Sequence, residues 1–358
     1  MKKTNVLIVS LLFAAAPVFI AGCHKNDDDN SMVDATQLKK DILVDAANIV
    51  CQPSYDALSS KSGQLLTAVQ TLIATPTDPN LKACQDLWKS IRESWEQSEA
   101  WLIGPVESDN IDPRIDTWPV DFNALETILA SPVTIDEPFV DAQEDALRGF
   151  HPIEYLLWGQ NGDKTAADFT AREYDFLLAL TQNLNKLSGD VKASWTGGYT
   201  SLLATAGASG NTTYPTTKSA YQALVEGMAG ICEEVANAKM KDPFDLQDPT
   251  QEESPFSGNS ITDFTNNIKG ILAMYQGRFT GDGKGIEDLV RTYNLSLDNE
   301  IKTKHAAAMT ALQAITVPFG QAITTQQTQV VNAMARINDL AETLTSKLKP
   351  FVEQYGQL

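Results

Sequence analysis

The stretch of this 358-residue chain best equipped for chemistry is Arg148-Gly149-Phe150-His151-Pro152-Ile153-Glu154-Tyr155-Leu156-Leu157-Trp158-Gly159. Pro152 disfavours α backbone at His151 and suits a first helical position. A helix is therefore predicted to begin here, with His151 near its cap and Glu154 about one turn on. An imidazole and a carboxylate so spaced lie on one side of the helix and can converge on one ion. The helix N-terminus disfavours imidazolium, which predicts a neutral ring free to coordinate. The spacing has a second reading, in which Glu154 returns to the cap residue's N–H as half of a capping box and His151 is a buried, hydrogen-bonded ring.

The rest of the chain limits the metals that such a site would take. There are three histidines. His24 sits near the N-terminus, and His305 lies between Lys302 and Lys304 on a helix that reads as surface, so His151 is the credible ligand. HExxH is absent, and zinc peptidases usually offer two histidines plus a third group. A one-histidine site must be completed by carboxylates, hydroxyls or water, a set that suits iron better than zinc. Glu99 is predicted as the third metal ligand because it flanks Ser98 on an apolar helical stripe, although a solvated or helix-paired glutamate is equally consistent with its position. Ser98 itself is predicted to bind ligand, and Asp116 and Trp118, with Glu253, Ser254 and Ser257, occupy two long non-periodic segments and are predicted to close the site. Ser254 and Ser257 have a plainer role available, capping the helix that begins near Ser260. No GxSxG elbow, Cys–His pairing or phosphate-binding glycine loop is present.

These side chains have to be held by helices. Leu87, Trp88, Ile91, Trp95 and Leu102 recur at helical spacing, as do Tyr174 to Trp195 and Val330 to Phe351. Threes and fours over many turns predict amphipathic helices packed in bundles. Eight helical segments are predicted, at 36–75, 81–103, 143–160, 167–204, 216–240, 259–277, 294–316 and 321–355. The Gly/Ser/Thr-rich stretch 205–215 reads as a linker. The fold class is therefore all-α, with two four-helix-bundle-like domains at 36–204 and 216–358. The equal helix count suggests a duplication. The long segments 104–142 and 241–258 are predicted as functional loops at the domain junction.

Several of these fragments occur together in one family. Gly149-Phe150-His151-Pro152-Ile153-Glu154 matches the GxHxxE motif of the imelysin-like family, and Tyr155 to Gly159 continues in its manner. Ser98-Glu99-Ala100-Trp101, Asp116-Thr117-Trp118-Pro119, Glu253-Ser254-Pro255-Phe256-Ser257 and Tyr275-Gln276-Gly277 with Asp288-Leu289-Val290 resemble it too, in order from about residue 36 to the end. The resemblance implies a two-bundle helical fold, export from the cytoplasm and a part in iron acquisition, with an outer-membrane iron-uptake partner. The family is also classed as a metallopeptidase, which leaves a zinc-dependent peptidase open as an alternative, beside a non-catalytic binding or scaffold lipoprotein.

The N-terminus points to the cell envelope. Lys2 and Lys3 precede an apolar run from Val6 to Ile20, the pattern of a secretory signal. Ile20-Ala21-Gly22-Cys23 resembles a lipobox, with isoleucine where leucine is commoner. Residues 1–22 are thus expected to be removed and Cys23 acylated, anchoring the protein to the outer membrane through lipid. Residues 23–35 form an acidic tether whose Asp27-Asp28-Asp29 run resembles the surface-export signal of some lipoproteins. The chain carries 27 basic and 46 acidic residues, a net charge of −19. That balance argues against nucleic acid as a partner. With Cys23 acylated, Cys51, Cys84 and Cys232 remain, and a core of this size needs no disulfide.

Overall fold

The computed structural model describes residues 35–358, all-helical with no strand beyond one isolated bridge. The expected signal peptide, the acylated Cys23 and nearly all of the tether lie outside the described residues. Among those residues no helix is long and apolar enough to cross a membrane.

The long helices follow the predicted apolar stripes. Helix α1 runs over 35–74, with a wider π-type turn at Ala46–Cys51. Helix α2 (Asp78–Ser98) is capped by the Thr77 hydroxyl, which accepts from the Asn80 N–H, and it buries Trp88, Ile91 and Trp95 completely. The supposed loop 104–142 is built from four short helices: α3 (Pro105–Ser108), α4 (Asp112–Asp116), α5 (Phe122–Ala130) and α6 (Glu137–Asp141). Proline stands at the first or second position of α3, α4 and α6, where its missing N–H costs nothing.

Helix α7 (Phe150–Trp158) carries the histidine motif, and α8 spans 171–204. Helix α9 covers 217–239, followed by the short α10 (Lys241–Leu246) and then α11 (Ser260–Gln276). Helix α12 (Ile286–Tyr293) lies in a stretch where no helix was expected, and α13 (Leu295–Gln313) follows it. The segment expected as one helix at 321–355 is two, α14 (Phe319–Thr325) and α15 (327–355). The turns at 205–215 are fastened by buried Asn211 and Tyr214, the latter sharing a 2.6 Å hydroxyl contact with Tyr199.

What positions the site is the packing of α2 against both halves of the chain. It lies along α1 on one side and along α11 on the other, while α9 packs on its C-terminal turn, Glu99–Trp101. The approach to α11 is close enough to require glycine: a Cβ at Gly270 would overlap the backbone carbonyl of Gln97. One hydrophobic core runs through both halves, from Ile42 to Val352. Cys51, Cys84 and Cys232 are free thiols within it.

Candidate metal centre

The helix expected over 143–160 is confined to α7, which starts two residues before Pro152, with only a short 3-10 turn, Asp145–Leu147, ahead of it. Gly149 is its cap, with a φ of 82°, and His151 is already helical. Pro152 falls in the first turn, where its N–H would have no intrahelical partner in any case. Only glycine fits at 149, since a Cβ there would overlap the carbonyl oxygen of Ile115. That contact brings the C-terminal end of α4, and so Asp116, against the histidine. Trp88 fixes the same turn by donating to the Phe150 carbonyl at 3.0 Å.

His151 is fully buried. Its Nε2 lies 3.1 Å from Asp116 Oδ1 and 3.8 Å from Glu253 Oε1, and its Nδ1 lies 3.7 Å from Glu154 Oε2. Neither ring nitrogen has an aligned hydrogen bond, and Glu154 Oε2 has none either. The other oxygen of Glu154 is well used, accepting from the Ser257 N–H at 2.7 Å and its hydroxyl at 2.6 Å. Glu154 therefore does not close a capping box. Nor does the Ser254 or Ser257 side chain cap α11: the Ser254 hydroxyl donates to Asp263 at 2.6 Å. Trp118 stacks edge-on against the His151 ring, centroids 5.0 Å apart, and so walls the site.

Behind this group sits a buried cation with no counterpart in the sequence reading. Arg92, on α2, pairs with Asp116 and Glu96, reaches Glu253 Oε1 at 2.6 Å and lies 3.5 Å from Asp263. Trp95 donates to the second oxygen of Asp116 at 2.6 Å. Glu99 is placed one step away from His151, in a second group with Glu96 and Asp116. Lys239 holds it at 3.3 Å and reaches Glu253 at the same distance. Asn267 donates to both Glu96, at 2.7 Å, and Glu99. Ser98, predicted as a ligand-binding residue, is buried and donates to the Trp95 carbonyl at 2.7 Å, a bond internal to its helix.

Six carboxylates (Glu96, Glu99, Asp116, Glu154, Glu253 and Asp263) are thus gathered around three possible cations, Arg92, Lys239 and His151. Burial works against a charged His151, but the Asp116 and Glu154 carboxylates outweigh it and carry the ring up to about 9. The neutral imidazole expected from the helix N-terminus is overridden by these nearer charges. Burial and the neighbouring Glu96 push Glu99 well above the ordinary carboxylate range. Burial likewise lifts Asp263 to about 7, against the pull of Arg92. Burial opposes ionisation of Glu253 also, yet Lys239 and Arg92 hold it below its usual value. The upward shifts of Glu99, Asp263 and His151 all act to lessen the cluster's surplus of negative charge.

One oxygen each from Asp116 and Glu253 and one nitrogen of His151 lie within 4.8 Å of one another, as ligands of a single ion must. A cleft of about 230 Å³ leads to them, lined by Asp116, Trp118, Glu234, Lys239, Asp242 and Glu253. The structure brings Asp116, Glu253, Trp118 and Ser257, expected at the site from the two long segments, around His151 and Glu154. Arg92 and Glu96 were not expected there, although both stand beside Trp88 and Trp95 on the buried face of α2. Polar residues four apart on an apolar stripe were the available signal. Asp263 and Asn267 repeat that spacing on α11.

This histidine–carboxylate centre on an all-helical scaffold places the chain in a known family. The imelysin family model (peptidase M75) matches residues 51–347, and the chain belongs to that family. It is 30% identical over 313 residues to the iron-regulated protein A of Synechococcus elongatus, covering 85% of this chain and 84% of the relative. Its fold is similar to a solved structure described as an iron-regulated protein A precursor from Parabacteroides distasonis. The TM-score is 0.79 at 24% identity, over 89% of this chain and 95% of that one. An imelysin-like protein from Psychrobacter arcticum has a TM-score of 0.70 at 13% identity, over 88% and 96% of the two chains.

Proposed function

We propose that this protein is a lipid-anchored cell-envelope protein that binds a metal ion at the Asp116–His151–Glu253 group, with iron the metal that its donors suit and iron uptake its role. The observation that carries this reading is the set of buried atoms without partners. Both nitrogens of His151 and Oε2 of Glu154 are out of water with no aligned hydrogen bond, in a cluster with more carboxylates than cations, and an arriving ion would displace the proton that Asp116 and Glu154 keep on the ring. Buried polar atoms ordinarily have partners, so such a set at the end of a cleft is a site for a ligand of opposite charge. One imidazole with carboxylate oxygens is a harder donor set than the histidine pair of zinc peptidases.

His151, Asp116 and Glu253 would hold the ion. Glu154, tied down by Ser257, lies 3.7 Å from the other ring nitrogen, near enough to accept from it and orient the imidazole once an ion is bound, as outer carboxylates do for metal-bound histidines. Arg92 keeps Asp116 and Glu253 ionised and aimed at the ring. The name of the Synechococcus relative refers to regulation by iron, which agrees with this role. Acylation of Cys23 would hold the protein at the outer membrane, beside an iron-uptake partner.

Metal analysis of the mature protein, purified without chelators, tests the reading. Iron near one equivalent, lost in His151→Ala, is the expected result. Zinc together with peptide cleavage would give the peptidase reading instead. A chain that holds no metal and gains no thermal stability from Fe(II), Fe(III) or Zn(II) would leave a scaffold.

A further inference from the structure

Phe256, whose ring lies 6.1 Å from that of Trp118, lines a second cavity, of about 500 Å³, formed between α5, α7 and the loop before α11. That volume lies within the range of small-ligand pockets. Phe122, Tyr155 and Phe256 line it. Their rings meet at 62°, 88° and 70°, with centroids 5.3 to 5.8 Å apart, so they make a corner and not a flat wall. Ordinary core packing would cover such a corner with aliphatic side chains. Here the remaining wall is two prolines, Pro249 and Pro255, with polar side chains, and its charges have one sign.

Glu126 and Glu252 line the cavity, and no lysine, arginine or histidine does. Glu126 is exposed on α5 and accepts from the Tyr155 hydroxyl at 3.1 Å. Glu252 is 4% exposed. Its hydrogen bonds, from the Ser260 hydroxyl at 2.8 Å and the Gly320 N–H at 3.0 Å, both go to Oε2. Oε1 is left without a donor. A largely buried carboxylate that lines the same cavity as the aromatic rings, with no cation of the protein's own there, lacks a positive partner.

We propose that this pocket binds an organic cation, an ammonium group on a short apolar body, seated against the three rings and paired with Glu252 and Glu126. Aromatic faces attract such cations through the ring quadrupole, most strongly where water is excluded. The carboxylates supply the charge, and the rings cover the carbon skeleton. An anionic ligand is repelled, and a neutral apolar ligand leaves Glu252 unpaired. The group could arrive as a free amine or as a lysine side chain on a peptide. The pocket is separate from the metal group, so this proposal stands or falls independently of the metal reading.

Calorimetric titration of the full mature chain, with three probes, tests it. These are choline, its neutral isostere 3,3-dimethylbutan-1-ol, and a peptide carrying one internal lysine. Saturable binding of choline or the peptide is expected, with the isostere weaker by about tenfold, the factor that corresponds to roughly 1.4 kcal/mol of cation–aromatic attraction. Choline binding without the peptide identifies a free amine, and the reverse identifies a peptide side chain. Glu252→Gln should weaken binding by a similar factor. Glu126→Gln, at an exposed position where folding is not at stake, should weaken it several-fold. Failure of both cations to bind, isostere affinity equal to that of the cation, or indifference to both substitutions overturns the proposal.

Discussion

Glu154 and Ser257, 103 positions apart, are joined by two hydrogen bonds to one carboxylate oxygen, from the serine's N–H and from its hydroxyl. The helix start that carries His151 is thereby stitched to the loop that carries Glu253. Glu154→Ala should cost more than the 0.5–2 kcal/mol of a lost helix cap, since it strands two donors at about 1–3 kcal/mol each. Ser257→Ala should cost about 1 kcal/mol, because the N–H bond survives. Urea midpoints of the two variants check this order, and equal small losses would contradict it.

Removing Arg92 should be among the most damaging single changes in the chain. Arg92→Met leaves Glu96, Asp116, Glu253 and Asp263 facing one another with their shared counter-charge gone. Breaking a buried ion pair from one side typically costs about 3–5 kcal/mol. Adding Glu253→Gln to the variant should restore part of the loss, because the two residues are coupled. Equilibrium denaturation of the wild type, both singles and the double gives the coupling directly, and strict additivity would remove Arg92 from the role assigned to it.

Metal binding at His151 should be visible in Trp118. The two rings are 5.0 Å apart, and Trp95 donates to Asp116, so iron there should quench both indoles, and Trp118→Phe should remove part of the quenching. His151→Ala and Asp116→Ala should each abolish it, with the double variant scarcely worse than either single, because ligands of one ion act as a unit. Quenching that persists in His151→Ala would place the metal elsewhere.

His305 predicts a pH dependence of its own. Its flanking lysines suggested a surface position, yet the ring is 7% exposed and its Nε2 lies 2.9 Å from the Ile268 carbonyl. Burial holds its pKa below the ordinary 6.5, only partly offset by that carbonyl. The unfolded chain therefore binds more protons than the folded one as the pH falls below 6.5, and stability drops in that direction. His305→Gln, whose amide can still donate to Ile268, should flatten this part of the stability profile. An unchanged slope between neutral and mildly acid pH would assign the dependence to other groups.

The long helices were readable because three-and-four periodicity over several turns has no other common cause. Short helices such as α3, α4 and α6 offer too few turns for a period, and only their N-terminal prolines mark them. The site was half readable. A histidine and a glutamate one turn apart after a glycine stand out, and so do acids in long segments. Arg92, Glu96 and Asp263 lie inside regular helices, where a charge is normally a solvated face. Their burial depends on which helices abut, and that is decided by contacts such as Gly270 against Gln97, far apart in sequence. Glu99 shows the same limit: it was expected as a third ligand beside His151, whereas it lies in a separate group with Glu96 and Asp116, a separation that depends on how α2 ends.

The stitching of α2 and α7 to α9 and α11 also bears on the order in which the chain is made. Residues up to 204 contain Arg92, Asp116, His151 and Glu154, whereas Ser257, Asp263, Asn267 and Lys239 emerge later. The polar interior cannot close on the nascent first half, whose charges must stay hydrated until the second half arrives. Folding to the native state is therefore a late event, with the early half held in a looser form. A single protease cut within 205–215 after folding is a different matter. It turns an intramolecular contact into an association, and the shared core should keep the two pieces together as a nicked but native protein.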